Sequence, residues 1–188
     1  TDAASAQSVF VADMDDDGDM DIVSASEEDD TIAWYENDGN ANPSWSASDI
    51  ATSADGARSV FVADMDNDGD LDIVSASEGD NTIAWYENLG VDDDGDLDWN
   101  AENIVTDADG ANSVFAADMD NDGDMDIVSA SSNDDTIAWY EYTTGTSTGP
   151  PWTAREIDTN ADGAAAVFVA DMDNDGDMDI VSVSGIDN

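Results

Sequence analysis

Short apolar runs alternate with acidic turns along the whole chain. In the first unit the runs are "SVFVAD" from Ser8, "DIVSAS" from Asp21, "TIAWYE" from Thr31 and a segment that starts at Trp45. These runs are short, rich in β-branched and aromatic residues, and bounded by Gly, Asp and Asn, which is typical of β-strands. None of them carries the 3.6-residue apolar period of a helix. The pattern therefore predicts an all-β protein.

The unit of four predicted strands repeats along the chain. Asp13, Asp64, Asp118 and Asp171 are equivalent, with spacings of 51, 54 and 53 residues. Four antiparallel strands in roughly 50 residues, repeated in tandem, predict the blades of a β-propeller. We place blade 1 at about 7–52, blade 2 at about 58–106, blade 3 at about 112–159 and a half blade 4 at about 165–188.

About three and a half blades are too few to close a propeller, which has about four to eight. We therefore expect the remaining blades to come either from further sequence or from neighbouring copies of the chain. In the second case, open head-to-tail contacts would yield filaments.

The composition is strongly acidic. Asp and Glu number 48 against 2 Lys and Arg, which gives a formal net charge of −46, and 40 of the acidic residues are Asp. No basic patch for nucleic acid is available, and an anionic membrane surface would repel the chain. No apolar run is long enough for membrane insertion. Because Cys and His are absent, the usual zinc sites and histidine acid-base catalysis are excluded.

The aspartates concentrate in a nine-residue loop between the first and second predicted strands. In Asp13–Asp21 they occupy positions 1, 3, 5, 7 and 9, with a further Asp16 at position 4, and Gly18 is at position 6. A short loop of this kind wraps a hard cation in oxygen ligands, with a main-chain carbonyl at position 7. Position 12 is Ser24 rather than Glu, so an EF-hand is excluded. We predict about four bound Ca²⁺ ions, one per loop.

In each loop the predicted metal ligands are the five aspartates at odd positions. Those at positions 1, 3, 5 and 9 bind through their side chains, and the one at position 7 binds through the main chain. They are Asp13, Asp15, Asp17, Asp19 and Asp21; Asp64, Asp66, Asp68, Asp70 and Asp72; Asp118, Asp120, Asp122, Asp124 and Asp126; Asp171, Asp173, Asp175, Asp177 and Asp179.

These loops resemble those of a known family. The form D-x-D-x-D-G-x-x-D and the third-strand sequence "TIAWYEN" at Thr31 and Thr82 are similar to the FG-GAP/VCBS repeats of integrin-alpha-like calcium-binding β-propellers. The "GAP" element is replaced by "SAS", so the similarity is to the VCBS-like branch. The resemblance covers essentially the whole chain and implies calcium-stabilised blades on secreted or cell-surface proteins, without implying a particular ligand.

Three weaker sequence features each allow two interpretations. The segment 91–99, "VDDDGDLDW", reads as an acidic hairpin insertion or as an accessory calcium site. Trp45, Trp99 and Trp152 occupy equivalent places, which favours packing between blades over stacking on sugars. The connection at 143–152, "TTGTSTGPPW", is typical of a flexible loop or of an O-glycosylated one.

No cluster of reactive side chains departs from the repeat, so we expect no enzymatic activity. The leading hypothesis is a non-enzymatic, extracellular or cell-surface calcium-binding repeat protein. It would act as a structural or adhesive scaffold and self-associate into a homo-oligomer or polymer. The alternative is a carbohydrate-binding or accessory propeller of a larger secreted enzyme or adhesin. A protein or glycan ligand stays open, and nucleic acid is not an expected partner.

Overall fold

The computed structural model describes residues 3–91, 97–143 and 151–185. These residues form antiparallel β-sheets, and the all-β prediction is confirmed. No helix in the described part of the chain is long and apolar enough to cross a membrane. The strands are β1 (Ala6–Ala12), β2 (Asp21–Ser26), β3 (Thr31–Asn37), β4 (Trp45–Ala51), β5 (Ala57–Ala63), β6 (Asp72–Ser77), β7 (Thr82–Val91), β8 (Leu97–Val105), β9 (Ala111–Ala117), β10 (Asp126–Ser131), β11 (Thr136–Tyr142), β12 (Trp152–Asp158), β13 (Ala164–Ala170) and β14 (Asp179–Ser184).

Each blade is a meander in which consecutive strands pair. The sheets have the orders β1-β2-β3-β4, β5-β6-β7-β8 and β9-β10-β11-β12, followed by the two-stranded pair β13-β14. The register is the same in every blade, with Phe10 opposite Val23 and Phe61 opposite Val74. The sheets do not close on one another, so the described residues form an incomplete propeller.

The hydrophobic core lies between the blades. One cluster joins Val23 and Trp34 of blade 1 to Val60 and Ile73 of blade 2. Two further clusters join blade 2 to blade 3 and blade 3 to the β13-β14 pair. A ladder of phenylalanines crosses all the junctions, with ring centroids 5.0, 4.5 and 5.1 Å apart between Phe10, Phe61, Phe115 and Phe168.

Of the three tryptophans predicted to pack between blades, Trp99 and Trp152 complete these junctions. Trp152 of blade 3 packs edge-on against Trp85 of blade 2, with centroids 5.9 Å apart. Trp99 packs against the cluster shared by blades 1 and 2. Trp45 has no such neighbour in the described residues and is 45% exposed.

A serine hydroxyl adds a polar contact at each junction. Ser8 Oγ accepts a hydrogen bond from the Val60 N–H at 3.3 Å. Ser59 and Ser113 repeat this contact with the N–H groups of the next first strands, also at 3.3 Å. At the same position β13 carries Ala166, which has no acceptor to offer.

One of the two arginines also links neighbouring blades. Arg58 Nη1 donates to Glu27 of blade 1 at 3.1 Å, while its Nε donates to Glu78 of blade 2 at 2.6 Å. Both glutamates lie in turns between second and third strands, at the opposite end of the blades from the Asp-rich loops. Partly exposed ion pairs of this kind contribute little individually, so the apolar junctions carry most of the stability.

Candidate metal centres

The Asp-rich loops connect the first and second strands of every blade. We call them loop 1 (Asp13–Asp21), loop 2 (Asp64–Asp72), loop 3 (Asp118–Asp126) and loop 4 (Asp171–Asp179). Because the blades stack in the same orientation, all four loops lie at the same end of the array.

Each loop brings three of its predicted ligands together. In loop 1, carboxylate oxygens of Asp13, Asp15 and Asp17 lie within 4.8 Å of one another. The same positions converge in loops 2 and 3, as Asp64, Asp66 and Asp68 and as Asp118, Asp120 and Asp122. In loop 4 the converging group is Asp171, Asp173 and Asp179.

The loop backbone wraps around these carboxylates. In loop 1, Asp13 Oδ1 accepts from the Asp17 N–H at 3.1 Å, and its Oδ2 accepts from the Gly18 N–H at 3.0 Å. Asp15 and Asp17 accept from the N–H groups of Asp17 and Asp19 at 3.3 and 2.8 Å. Loops 2, 3 and 4 repeat the set within 0.2 Å. The short Asp side chain therefore shapes the turn and holds an oxygen towards its centre.

The glycine at position 6 is required by the backbone. Gly18 has a φ of 96°, and the equivalent glycines have φ between 97° and 104°. A side chain is strained in this conformation. The glycine therefore lets the chain reverse sharply between the carboxylates of positions 5 and 7.

In loops 1 and 2 the aspartate at position 7 lies against a neighbouring glycine and is not part of the converging group. A β-carbon added at Gly39 would collide with Asp19 Oδ2, so this carboxylate lies against the turn between β3 and β4. Asp70 lies against Gly90 in the same way. This orientation is compatible with a ligand role through the main-chain carbonyl, which stays a prediction.

The aspartate at position 9 is buried and holds the backbone. Asp21 is 1% exposed, and its two oxygens accept from the N–H groups of Met14 at 3.1 Å and Asn37 at 2.9 Å. Asp72 and Asp126 do the same in their blades. A carboxylate oxygen keeps a second lone pair after accepting one hydrogen bond. The predicted ligand role of position 9 therefore stays a prediction beside this structural one.

Several of these carboxyl groups bind protons more tightly than an ordinary Asp. Burial raises the pKa of Asp72 to about 7 and that of Asp126 to about 6. Burial, and next the neighbouring carboxylate of Asp17, raise the pKa of Asp15. The pKa values of Asp66 and Asp120 are raised by the same two kinds of cause. A cation placed between these carboxylates would lower their pKa values and offset the cost of ionisation.

The donor set fits a hard divalent cation. Calcium accepts oxygen ligands at about 2.3–2.6 Å, so oxygens on opposite sides of the ion lie about 5 Å apart. The carboxylate oxygens of each group, within 4.8 Å of one another, can therefore share one ion. All the available ligands are oxygens, and none is a thiolate or an imidazole, which suits calcium rather than zinc.

Two asparagine roles are not evident from the repeat pattern. Asn88, in the last part of β7, is 1% exposed, and its Nδ2 donates to the carbonyl oxygens of Leu71 and of Met14 in the neighbouring blade. Asn67, at position 4 of loop 2, donates to Gly123 of loop 3. The sequence signal for the first is the recurring "WYEN", and for the second the change from Asp16 to Asn67, Asn121 and Asn174 at position 4.

Two predictions fall partly or wholly on residues that the structure does not describe. The acidic segment proposed as an accessory calcium site includes residues 92–96, and the Ser/Thr/Pro-rich connection includes residues 144–150. Both lie outside the described ranges, so these predictions stay open.

A search against solved structures finds a similar fold in a lectin. The chain matches a lectin of Agrocybe aegerita, whose structure explains specific recognition of non-reducing terminal N-acetylglucosamine, with a TM-score of 0.57 and 20% sequence identity. The alignment covers 93% of this chain and 46% of the lectin chain. This chain therefore spans less than half the length of the lectin, and the likeness concerns the fold.

No curated protein sequence matches this chain. The profile of the FG-GAP-like repeat matches three overlapping stretches, residues 13–75, 64–129 and 118–182. Each match begins at the first aspartate of an Asp-rich loop and ends within the second strand of the next blade. Together the matches span most of the sequence, and the chain belongs to the FG-GAP-like repeat family.

Proposed function

We propose that this chain is a non-catalytic, calcium-clamped scaffold of an extracellular or cell-surface protein, and that it self-associates through the faces of its end blades. The observation that carries the proposal is the recurrence of a three-carboxylate cluster in all four loops, built on positions 1 and 3 with position 5 or 9. Catalytic sites depart from a structural repeat, whereas a structural clamp recurs with it.

Calcium acts in this proposal by compensating charge. Loop 1 holds six Asp within nine residues and each of the other loops holds five, and like charges at this spacing push the connected strands apart. A bound ion joins the carboxylates and fixes the turn between two strands. Four ions would change the formal net charge from −46 to −38, so most of the negative charge would remain to keep the surface hydrated.

The expected contribution to stability is large. Extracellular modules bind calcium with a Kd of about 10⁻⁴–10⁻³ M. At a free calcium concentration of about ten times Kd, each site adds on the order of 1.4 kcal/mol to the free energy of unfolding. Four sites would then supply about 5–6 kcal/mol, which is comparable to the net stability of a whole domain.

Self-association is supported by two exposed apolar faces. The head face of blade 1 consists of Val9, Val11 and Trp45, which are 63%, 56% and 45% exposed. The tail face of the β13-β14 pair consists of Phe168, Val181 and Val183, which are 54%, 43% and 57% exposed. Exposed apolar clusters of this kind mark interaction sites.

Both faces fit a blade of the same repeat, which further sequence or, in this proposal, a second copy would supply. Val60, the equivalent of Val9, is 4% exposed because blade 1 covers it, and Val74, the equivalent of Val181, is fully buried. The head and tail faces therefore carry the residue types that already pack against each other at the internal junctions. Contacts of this head-to-tail type form open chains of copies, or rings where the rotation closes.

Electron microscopy tests this assembly directly. The protein would be imaged in millimolar calcium and again after chelation. We expect filaments or rings built of stacked blades in calcium, and their loss after chelation. Single particles under both conditions, at concentrations where the protein is soluble, would reject self-association.

A second candidate is carbohydrate binding, which the fold of the lectin from Agrocybe aegerita favours. The head face also borders an apolar groove of about 340 Å³ that includes Tyr35 and Trp45, and aromatic rings of this kind stack on sugars. Calorimetric titration with N-acetylglucosamine separates the two proposals. Saturable binding that is lost in Trp45→Ala would favour carbohydrate binding at the head face. The absence of any heat of binding would favour docking of a blade there.

A further inference from the structure

Asparagine side chains directly join neighbouring Asp-rich loops. Asn67 Nδ2 in loop 2 donates to the Gly123 carbonyl oxygen in loop 3 at 3.0 Å and lies 3.5 Å from Asp124 Oδ1. Asn121 in loop 3 repeats the contact with loop 4, 3.2 Å from Asp177 Oδ1 and 3.5 Å from the Gly176 carbonyl oxygen. We call these contacts the Asn bridges.

The bridges connect the parts of the backbone that hold the carboxylates. Asn67 lies between Asp66 and Asp68, two members of the converging group in loop 2. At the other end, Gly123 and Asp124 donate their N–H groups to Asp118 and Asp122 at 3.1 and 2.9 Å. When one loop becomes more ordered, a single asparagine side chain therefore also restrains the backbone of the next loop.

The first junction lacks a bridge. Position 4 of loop 1 is Asp16, whose carboxylate can only accept hydrogen bonds when ionised, and it bonds to no loop 2 group in the described structure. Asp16 has a φ of 56°, and Asn67 and Asn121 have φ of 62° and 61°. Since Asp adopts the same left-handed conformation as Asn here, the backbone does not require Asn. What Asn67 and Asn121 add is the donor.

We propose that the Asn bridges couple loops 2, 3 and 4 into one cooperative cation-binding unit, while loop 1 binds its cation independently. This inference rests on the proposed calcium binding of the loops. An ion that orders loop 2 fixes Asn67, and Asn67 in turn fixes Gly123 and Asp124. Loop 3 then loses less conformational freedom when its own ion binds, which is positive cooperativity.

The competing explanation is that the bridges only hold the blades together. In that case their removal would lower stability equally with and without calcium, and the binding curve would keep its shape. Coupling makes a different prediction, because it changes the steepness of calcium binding.

Calcium titration by isothermal calorimetry, on dilute monomeric protein, distinguishes these explanations. In the wild type, one site should bind calcium independently, and the other three should bind it cooperatively and give a steeper binding curve. In Asn67→Asp, loop 2 should leave the cooperative group. The mean calcium affinity of loops 2–4 should then fall by about fivefold or more, which is the usual lower range of coupling between sites. Asp16→Asn should have the opposite effect and merge all four sites into one steep group.

Asn174→Asp is the matched control. Asn174 is at position 4 of loop 4, has a φ of 60°, and makes no bridge among the described residues. The variant makes the same chemical change without removing a bridge, so its curve should keep the shape of the wild-type curve.

The outcomes separate this inference from the function on which it rests. If calcium binds but Asn67→Asp and Asn174→Asp give the same curve, or if Asp16→Asn leaves loop 1 independent, the coupling is wrong and the calcium scaffold stands. If the wild type binds no calcium, the proposed function itself fails.

Discussion

The end faces and the internal junctions are made of equivalent residues in different surroundings. Val9 and Val60 occupy the same position in neighbouring blades, yet they are 63% and 4% exposed. At the other end, Val181 is 43% exposed while its equivalent Val74 is fully buried. A blade therefore does not bury its own apolar residues: each blade completes the core of the one beside it, as in other repeat proteins.

Removing a buried isoleucine at a junction should have the largest effect on stability. Ile127 is fully buried between blades 2 and 3, so Ile127→Ala should lower the free energy of unfolding by about 2–5 kcal/mol. Its equivalent in blade 1, Ile22, is only partly buried and lines the apolar groove beside the head face. Ile22→Ala should therefore cost about 1 kcal/mol.

Urea denaturation of both variants in the monomer measures this difference. Equal losses of stability would mean that the blades are stable singly and that their junctions contribute little. Equal losses that arise only at high protein concentration would instead indicate that the head face is already covered by another copy.

Acidification should reduce the difference in stability between calcium-bound and cation-free protein. The pKa values of Asp72 and Asp126 are raised to about 7 and 6, above the ordinary value of 3.8. In cation-free protein the folded state therefore binds these protons more tightly than the unfolded state. This contribution to stability is fully present below pH 4 and is lost as the pH rises through 6 to 7.

Calcium binding has the opposite dependence, because it requires ionised carboxylates. We expect the calcium affinity of loops 2 and 3 to fall as the pH drops from 8 to 5, by up to about tenfold per pH unit below the pKa of a protonated ligand. Melting curves at several pH values, with calcium and with chelator, measure both trends. A calcium effect that is constant from pH 8 to 5 would exclude these aspartates as titrating ligands.

The smallest expected effect concerns the tail face. Every internal junction has a serine hydroxyl that accepts a first-strand N–H, whereas the last described blade has Ala166. Ala166→Ser would restore the acceptor and should strengthen self-association by one hydrogen bond, about 0.5–1.5 kcal/mol. Light scattering across a dilution series would measure it.

Ala165→Ser is the control, because the side chain of the equivalent residue in blade 2, Arg58, reaches back to Glu27 of the preceding blade. It adds the same hydroxyl away from the tail face. If both variants associate as the wild type does, the second copy does not dock in the register of the internal junctions.

The sequence allows a good prediction of the blades because the repeat presents each strand several times. Runs such as "DIVSAS" and "TIAWYE" coincide with β2 and β3 and their equivalents. Equivalence also predicts the packing of Trp99 and Trp152 between blades, since a residue that recurs in every blade most often serves the fold. Local spacing likewise predicts the convergence of Asp13, Asp15 and Asp17, which are two residues apart in one turn.

Contacts between blades are harder to predict because their partners are distant in sequence. Asn67 and Gly123 are 56 residues apart, and Ser8 and Val60 are 52 apart. Nothing in a loop considered alone indicates that its fourth residue reaches the following loop. The structural role of Asp21 is hidden for a similar reason, since its partner Asn37 lies at the end of another strand.

Thermal unfolding with and without calcium shows whether a cation clamps the aspartate loops and so holds the blades together. The melting temperature would be measured in millimolar calcium, after chelation, and after calcium is restored. A loss of about 5–6 kcal/mol corresponds to a fall of roughly 10–20 °C for a chain of this size, and the fall should reverse when calcium returns. A melting temperature that is unchanged by chelation would rule out the calcium clamp, because the blades would then be equally stable without a cation in the aspartate loops.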